Sequence, residues 1–315
     1  MVGYAPHDYS PCFPAHSFSR CIGTVPHGGF VTSVFQNVAK KHFETTLKKC
    51  NQPHTIALGL NFLRRTEIGK ALFTVKDIKL GRQTSVIHIT LTQNIDNHLR
   101  EEVLGYITQS NLETEEGRTF ETKWALEPAV PSVDLKRLKQ GDDANWFEIP
   151  GLAHQEFRKA SQHVGFAFPR QGQQTLGSID QWMHFKTCNA GERFTNESLG
   201  YVSDMWPQII ESMVVTDLYM PGQLTPENVK KVVGFWYPTV LLNLDVKKAL
   251  PPDGVEWLFV RVRAKQVKNG RYDLEVIIMD ELGELVALSN HVCLVLDASR
   301  NTAKRTRGEA KESKI

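Results

Sequence analysis

Long apolar runs are missing from this chain of 315 residues, and none approaches the roughly 18 residues that a membrane-spanning helix needs. The amino-terminal MVGYAPHDYSPCFPAH has no basic region followed by an apolar core, so it is not typical of a secretory signal. The formal net charge is only +2, which gives no bulk field that favours nucleic acid. The sequence therefore predicts neither membrane insertion nor a nucleic-acid partner.

Cysteine is scarce, with five widely spaced residues: Cys12, Cys21, Cys50, Cys188 and Cys293. No pair has the spacing of a zinc knuckle or a redox motif, so we expect free thiols, a reducing compartment, no metal and no cofactor. The chain also lacks a Walker loop, a dinucleotide fingerprint and a Gly-x-Ser-x-Gly nucleophile elbow. The last absence argues against a serine hydrolase.

One pattern is written twice along the chain. In the first half, Gly28-Gly29 opens a helix-like stretch, and strand-like runs follow near 54–64, 70–80, 83–94 and 102–112. In the second half, a helix-like stretch opens at Tyr201, and strand-like runs follow near 237–247, 255–266, 271–280 and 284–297. The repetition predicts a pseudo-twofold pair of similar domains. Because only the second copy has an acid, Asp204, at its helix, we expect one active site.

These patterns divide the chain into five expected segments. They are an irregular arm over 1–15, a first domain over 16–131, a linker over 132–170, a second domain over 171–298 and a flexible tail over 299–315. The linker contains the charged, turn-rich SVDLKRLKQGDDA. The tail ends in Ser313-Lys314-Ile315, which is close to the Ser-Lys-Leu peroxisomal address, although a random charged tail is the alternative. We expect an intracellular protein, peroxisomal by this address and otherwise cytoplasmic.

Several short motifs carry a resemblance to a known family. They are Pro26-His27-Gly28-Gly29, Gly81-Arg82 two strands later, Leu199 to Asp204, Pro238-Thr239, and Asp280 to Ala287. Over 16–112 and 175–297 the chain resembles the double hot-dog type II acyl-CoA thioesterases, in their fungal thioesterase-like branch. The resemblance implies an α+β fold, a tandem hot-dog with two long antiparallel sheets that each wrap a central helix. It also implies an acyl-CoA or related thioester ligand and a pairing of hot-dog sheets, either between copies in a homo-oligomer or within the single chain.

The same resemblance implies the catalytic residues. In that class an Asp at the second helix start, a Thr on the next strand and a Gln on the last strand hold the hydrolytic water. These roles pass to Asp204, Thr239 and, in place of Gln, His291 or its neighbour Asn290. A neutral His can donate and accept like Gln, and it can also transfer a proton. Asp204 is expected at the helix start either as the base or only as an N-cap.

Substrate-binding residues are expected around the two helix starts: His27, Gly28, Gly29, Tyr201 and Trp206. The glycines permit close approach, and backbone N–H groups at a helix N-terminus can stabilise an oxyanion. For His27 a turn role is the alternative, and for Trp206 core packing is. The basic pairs Arg64-Arg65 and Lys247-Lys248 are either ligands of CoA phosphates or solvated loop charges.

Three functions follow from these residues. The leading hypothesis is an acyl-CoA, or other acyl-thioester, hydrolase that uses a water activated by Asp204. The second is a hot-dog hydratase, dehydratase or cyclase of secondary metabolism that uses Asp204 and His291, although the Asp-x-Asn-x-x-His hydratase signature is absent. The third is a non-catalytic acyl-binding protein.

Overall fold

A computed structural model describes residues 2–4, 20–95, 97–186, 191–206, 209–232 and 234–303. Cys12, Cys188 and the terminal Ser-Lys-Ile, on which some predictions above depend, lie outside these residues. No helix in the described ranges is long and apolar enough to span a membrane.

The first half is a helix packed on an antiparallel sheet. It comprises β1 (Val2–Tyr4), β2 (Cys21–Ile22), β3 (Val25–Pro26), α1 (Gly28–Thr45), β4 (His54–Phe62), β5 (Leu72–Lys79), β6 (Ser85–Ile95) and β7 (His98–Ser110). The sheet order is β1-β5-β6-β7-β4, while β2 and β3 form a small separate hairpin. The helix and all four long strands lie where the sequence predicts them. Strand β1 differs from the expected irregular arm, because Val2–Tyr4 pairs with the free edge of β5.

Helix α1 lies on one face of this sheet because its apolar residues recur at helical spacing. Val31, Phe35, Val38 and Phe43 are all buried against the strands. Near the end of the helix, His42 Nε2 lies 2.8 Å from the Asp77 carboxylate of β5, which fastens α1 to the sheet. The start of α1 therefore has a fixed position relative to the strands.

The second half repeats the plan with more elements. They are α2 (Leu135–Lys139), β8 (Trp146–Ile149), β9 (Val164–Pro169), β10 (Ser178–Phe185), α3 (Leu199–Ser203), α4 (Ile209–Val214), α5 (Pro226–Lys231), β11 (Phe235–Trp236), β12 (Thr239–Val246), β13 (Leu258–Arg263), β14 (Val267–Lys268), β15 (Arg271–Met279), β16 (Leu285–Leu294), β17 (Leu296–Asp297) and α6 (Ser299–Thr302). The sheet order is β12-β16-β15-β13-β10-β9-β8, and β14 pairs with β15. The region expected to hold one central helix contains the two short helices α3 and α4 on either side of residues 207 and 208.

The expected linker over 132–170 differs from the structure, because it supplies β8 and β9 to the second sheet. Trp146, Phe166 and Phe168 in these strands are fully buried. Burial of such large apolar side chains contributes about 1.5–3 kcal/mol each. This stabilisation outweighs the preference of the surrounding polar residues for turns. The second half therefore begins well before residue 171.

The outer face of the second sheet is also covered. Trp146, Trp182, Trp257 and Phe259 pack there against residues of the preceding segment, including Leu126 and Leu138. Arg261 on β13 is buried and donates from Nη2 to Oδ2 of Asp180 at 2.6 Å. The segment that contains Leu126 and Leu138 thus covers this face of the sheet.

The two halves join edge to edge, so their sheets form one continuous antiparallel sheet. Strand β4 pairs with β12, and Leu60 lies opposite Leu242. Beside them, a Cβ atom on Gly59 would come within 2.8 Å of Asn243 Oδ1. This junction holds α1 and α3 against each other over the same side of the sheet.

Candidate active site

The site forms where the start of α1 meets α3, and glycines on both helices permit the contact. A Cβ atom on Gly29 would lie 2.7 Å from Cβ of Asp204 and 2.8 Å from the carbonyl oxygen of Gly200. A Cβ atom on Gly200 would lie 2.6 Å from Oε1 of Gln36. Such distances leave no room for a side chain. Gly29 and Gly200 therefore have a structural role, which is to let the two helices pack closely.

Side chains of α1 satisfy the first backbone donors of α3. Gln36 Oε1 accepts from the N–H of Gly200 at 2.8 Å, and Ser33 Oγ accepts from the N–H of Tyr201 at 2.9 Å. The short helix α3 lacks enough residues to be stable alone. Its position, and that of Asp204 directly after it, is therefore fixed by the first half of the chain.

The expected position of Asp204 at the start of a helix is wrong, and so is the alternative that it is an N-cap. Asp204 follows the last residue of α3 and is its C-cap. Its carboxylate instead lies at the N-terminus of α1, where the N–H of Gly29 donates to Oδ2 at 2.7 Å. The positive end of a helix stabilises an anion, so α1 from the other half holds Asp204 ionised.

Thr239 and His291 meet the other carboxylate oxygen. Thr239, the first residue of β12, donates from Oγ1 to Oδ1 of Asp204 at 3.2 Å. His291 on the neighbouring β16 places Nδ1 3.5 Å from the same oxygen. Asn290, the alternative to His291, is exposed on the opposite face of the strand. The structure thus brings together Asp204, Thr239 and His291.

The charge state of Asp204 follows from these contacts. Burial alone raises the pKa of a carboxyl, but the Nε2–H of His27 and the N–H of Gly29 together hold the pKa of Asp204 below its ordinary value. Asp204 is therefore a carboxylate at neutral pH and accepts a proton only from a strong donor or in a transition state.

His27 is a structural neighbour of Asp204 with both ring nitrogens engaged. It is the N-cap of α1, and Nδ1 accepts from the N–H of Phe30 at 3.3 Å. Nε2 must then carry the hydrogen, which it donates to the backbone oxygen of Asp204 at 2.9 Å. Burial lowers the pKa of His27, which agrees with a neutral ring. His27 therefore positions Asp204 rather than titrating beside it.

A cavity of about 360 Å³ opens beside Asp204. Its volume lies within the range for small-molecule sites of roughly 300–1,000 Å³. Of the expected site residues, His27, Gly28, Asp204, Trp206 and Thr239 line it. The wall is mostly apolar, with further residues that include Phe62, Leu152, Phe157, Met205, Phe235, Trp236 and Leu294. Such a wall suits an apolar ligand next to the carboxylate.

Tyr201 differs from its expected role at the substrate. It is fully buried behind the cavity, where its hydroxyl donates to the carbonyl of Ala160 at 2.7 Å and accepts from Arg20 at 3.1 Å. The cause is the helical spacing of α3, which turns this side chain into the core. His291, also fully buried, reaches the cavity only through Asp204.

The basic pairs have mostly structural partners. Lys247 pairs with Asp245, while Lys248 pairs with Asp280 and Glu284. Arg65 donates to the carbonyl oxygens of residues 300, 301 and 303 after β17. Arg64 donates to a single backbone oxygen and lines the cavity. Only Arg64 among these four combines cavity lining with an exposed side chain suited to a phosphate.

Two buried groups at the site are absent from the sequence predictions. Ser289 contacts His291, and its signal is the two-residue spacing that places both on one face of β16. Arg158, which lines the cavity, forms a buried ion pair with Glu211 behind it, and the Tyr237 hydroxyl lies 3.4 Å from the same carboxylate. Because these partners are far apart in sequence, no local pattern indicates them. Within the described ranges, no group of three or more His, Cys, Asp or Glu side chains is arranged to hold a metal ion.

Comparisons with known proteins match both halves of the chain. Residues 16–110 match the model of the acyl-CoA thioesterase N-terminal domain, and residues 131–295 match that of the acyl-CoA thioesterase C-terminal domain. The thioesterase-like protein TwmA of Talaromyces wortmannii is 36% identical over 322 aligned residues, which cover 93% of this chain and 90% of TwmA.

Solved structures share the fold at low identity. A Thermobifida fusca protein provisionally named a thioesterase II superposes with a TM-score of 0.62 at 19% identity, over 88% of this chain and 89% of its own. A hot-dog protein of unknown function from Alicyclobacillus acidocaldarius gives 0.57 at 15% identity, over 87% and 88%. These likenesses confirm the predicted double hot-dog fold, and identities this low carry no statement about activity.

Proposed function

Because the chain belongs to the acyl-CoA thioesterase family, we propose that it hydrolyses an acyl-CoA or related acyl thioester with a water activated by Asp204. The observation that carries this proposal is an ionised carboxylate at the wall of an apolar cavity, fixed by Gly29 and Thr239. A carboxylate so held has one orientation, which favours a defined position for the attacking water.

Gly28 supports the proposal with a backbone donor. It lines the cavity, and its N–H has no hydrogen-bond acceptor within the described residues, unlike those of Gly29 and Phe30 in the same helical turn. A free N–H at a helix N-terminus can stabilise the oxyanion that forms when water attacks the thioester carbonyl. Gly28 and Asp204 thus supply the donor and the base that hydrolysis needs.

Asp204, Thr239 and Arg64 have separate roles in the proposed reaction. Asp204 takes the proton from water as the oxygen attacks the carbonyl carbon, and the negative charge moves to the carbonyl oxygen. Thr239 holds Oδ1 of the carboxylate and lies at the cavity, where its hydroxyl can contact the water. Arg64 is the residue that we propose for the phosphates of CoA, because it has an exposed charge at the cavity.

The geometry disfavours a hydratase, dehydratase or cyclase that uses Asp204 and His291 as a pair. Such chemistry needs both groups at the substrate, but the side chain of His291 is fully buried and does not line the cavity. His27 lies at the cavity, but both its ring nitrogens have partners. Of the Asp204–His291 pair, hydrolysis needs only Asp204 at the substrate and therefore fits better.

The test is release of free thiol from a panel of acyl-CoAs of increasing chain length by the purified full chain. The free acid is measured in parallel by mass spectrometry. We expect equal amounts of thiol and acid from at least one chain length. Binding without turnover across the panel would instead support an acyl-binding protein, and conversion of the acyl group without thiol release would support a lyase or cyclase.

A further inference from the structure

Ser289 determines which nitrogen of His291 carries a hydrogen. Ser289 Oγ lies 2.6 Å from the backbone oxygen of Asn243, and a carbonyl only accepts, so the hydroxyl hydrogen points there. The same Oγ lies 2.9 Å from Nε2 of His291. Because the single hydroxyl hydrogen is already used, Nε2 must be the donor in this second contact. Neutral His291 therefore carries its hydrogen on Nε2 and a lone pair on Nδ1.

That lone pair faces the carboxylate of Asp204. Nδ1 lies 3.5 Å from Oδ1, and no donor within the described residues satisfies Nδ1. Two buried acceptors that face each other repel, and a proton placed between them converts the repulsion into a charge-assisted hydrogen bond. The Asp204–His291 pair is thus arranged to hold one proton more than it has when Asp204 is ionised and His291 is neutral.

We propose that Ser289 is a positioning residue that keeps Nδ1 of His291 unprotonated toward Asp204, so that the pair stores the proton of the attacking water. This inference rests on the proposed hydrolysis. The water oxygen bonds to the thioester carbon, and its proton passes to Oδ1 and is held between Oδ1 and Nδ1. When the C–S bond breaks, the proton returns from the pair to the thiolate sulfur. A Gln at this position has no nitrogen that can take up the proton.

Other titratable groups around His291 leave this role to the pair. Burial raises the pKa of Cys293 on the same strand and of Tyr272 on β15, so both stay neutral near pH 7. On the helix side, burial lowers the pKa of His27, whose nitrogens both have partners. The ring also contacts Ser289, whose hydroxyl donates to the backbone carbonyl of Asn243 on β12, and neither of these groups titrates near pH 7.

The direct test is nitrogen NMR of the histidine rings in the free full-length protein at pH 7.5. His291 is assigned by its loss in His291→Gln. We expect a neutral ring protonated at Nε2 in the wild type and in Ser289→Thr, which keeps the hydroxyl. In Ser289→Ala the preference is lost, kcat falls at least about tenfold with little change in KM, and the pH profile of kcat changes shape, as for loss of a proton-transfer group.

The control is Ser110→Ala, which removes another buried strand hydroxyl that donates to a backbone carbonyl, at 2.9 Å from Gln83, in the first half. It should match Ser289→Ala in its effect on unfolding without changing the ring or the pH profile. If Ser289→Ala does not fold, Ser289→Cys keeps a similar side chain with a weaker acceptor.

Two results would overturn the inference. One is a wild-type His291 that carries its hydrogen on Nδ1, or on both nitrogens, at pH 7.5. The other is a Ser289→Ala protein with the ring state and pH profile of the wild type. An inactive wild type with the expected ring state would refute the proposed hydrolysis and leave the effect of Ser289 on the ring intact, so the two failures are distinguishable.

Discussion

Replacement of Gly29 by Ala should impair both stability and activity. The new Cβ atom would lie 2.7 Å from Cβ of Asp204, 2.8 Å from the oxygen of Gly200 and 2.9 Å from that of Tyr201. Contacts this short force α1 and α3 apart by several tenths of an ångström. Overpacking of this kind costs about 1–3 kcal/mol, while the higher helix propensity of Ala returns at most about 1 kcal/mol. We therefore expect a net loss of about 0–3 kcal/mol in unfolding free energy.

Activity should fall because the carboxylate itself must move. Gly29 holds Oδ2 of Asp204 through its N–H, so separation of the helices weakens this bond and displaces the base. Misplacement of a catalytic group by about 1 Å can cost 100-fold, so a shift of a few tenths should lower kcat/KM by about tenfold.

The assay compares Gly29→Ala with Gly117→Ala, where the added Cβ atom meets nothing within 4 Å. Denaturant unfolding gives the stability change, and thiol release gives kcat/KM. If Gly29→Ala retained wild-type kcat/KM and stability, the close contact of the two helices at this glycine would be wrong. A loss of activity in Gly117→Ala as well would show that the effect is not specific to the site.

Two further changes test the polar groups around the cavity. Burial lowers the pKa of His27, so below about pH 6.5 the unfolded chain binds a proton that the folded chain does not, and stability should fall by up to about 1.4 kcal/mol per pH unit. His27→Asn keeps an N-cap acceptor and should lose this pH-dependent part of the unfolding free energy. A difference in unfolding free energy between wild type and His27→Asn that stays constant from pH 7.5 to 5.5 would contradict the neutral ring. Arg158→Met should lower the unfolding free energy by about 3–5 kcal/mol because it leaves the buried charge of Glu211 unpaired, and the double variant Arg158→Met with Glu211→Leu should recover most of that loss. Equal stability of the single and double variants in denaturant unfolding would show that the ion pair is not desolvated.

The repeated pattern in the sequence is sufficient to predict the helix α1, the long strands and a pair of similar domains, because period-two and helical spacings are local properties. The double hot-dog fold itself followed from the resemblance to the type II acyl-CoA thioesterases. The linker was wrong because the apolar residues of β8 and β9 stand among turn-rich residues, and burial against the second sheet decides their structure. Strand β1 was missed since its pairing partner β5 is distant in the chain.

The candidate site was predictable in its residues but not in its geometry. Asp204, Thr239 and His291 followed from the resemblance to the thioesterase family, and the structure brings them together. That Asp204 follows α3 and is held by the N-terminus of α1 depends on the packing of the two halves, which no local pattern records. The burial of Tyr201 and the contact of Ser289 with His291 arise in the same way.

The most direct test of the central claim is the ratio of kcat/KM for thiol release between wild type and Asp204→Asn on the best acyl-CoA of the panel. Asn keeps the size of the side chain and an acceptor for Gly29, but it cannot take up a proton. Loss of a general base predicts a decrease of about 100- to 10,000-fold, with wild-type unfolding and with full activity in Asp245→Asn, an exposed carboxylate on the same strand as Thr239. A folded Asp204→Asn protein with wild-type kcat/KM would contradict the assignment of Asp204 as the base.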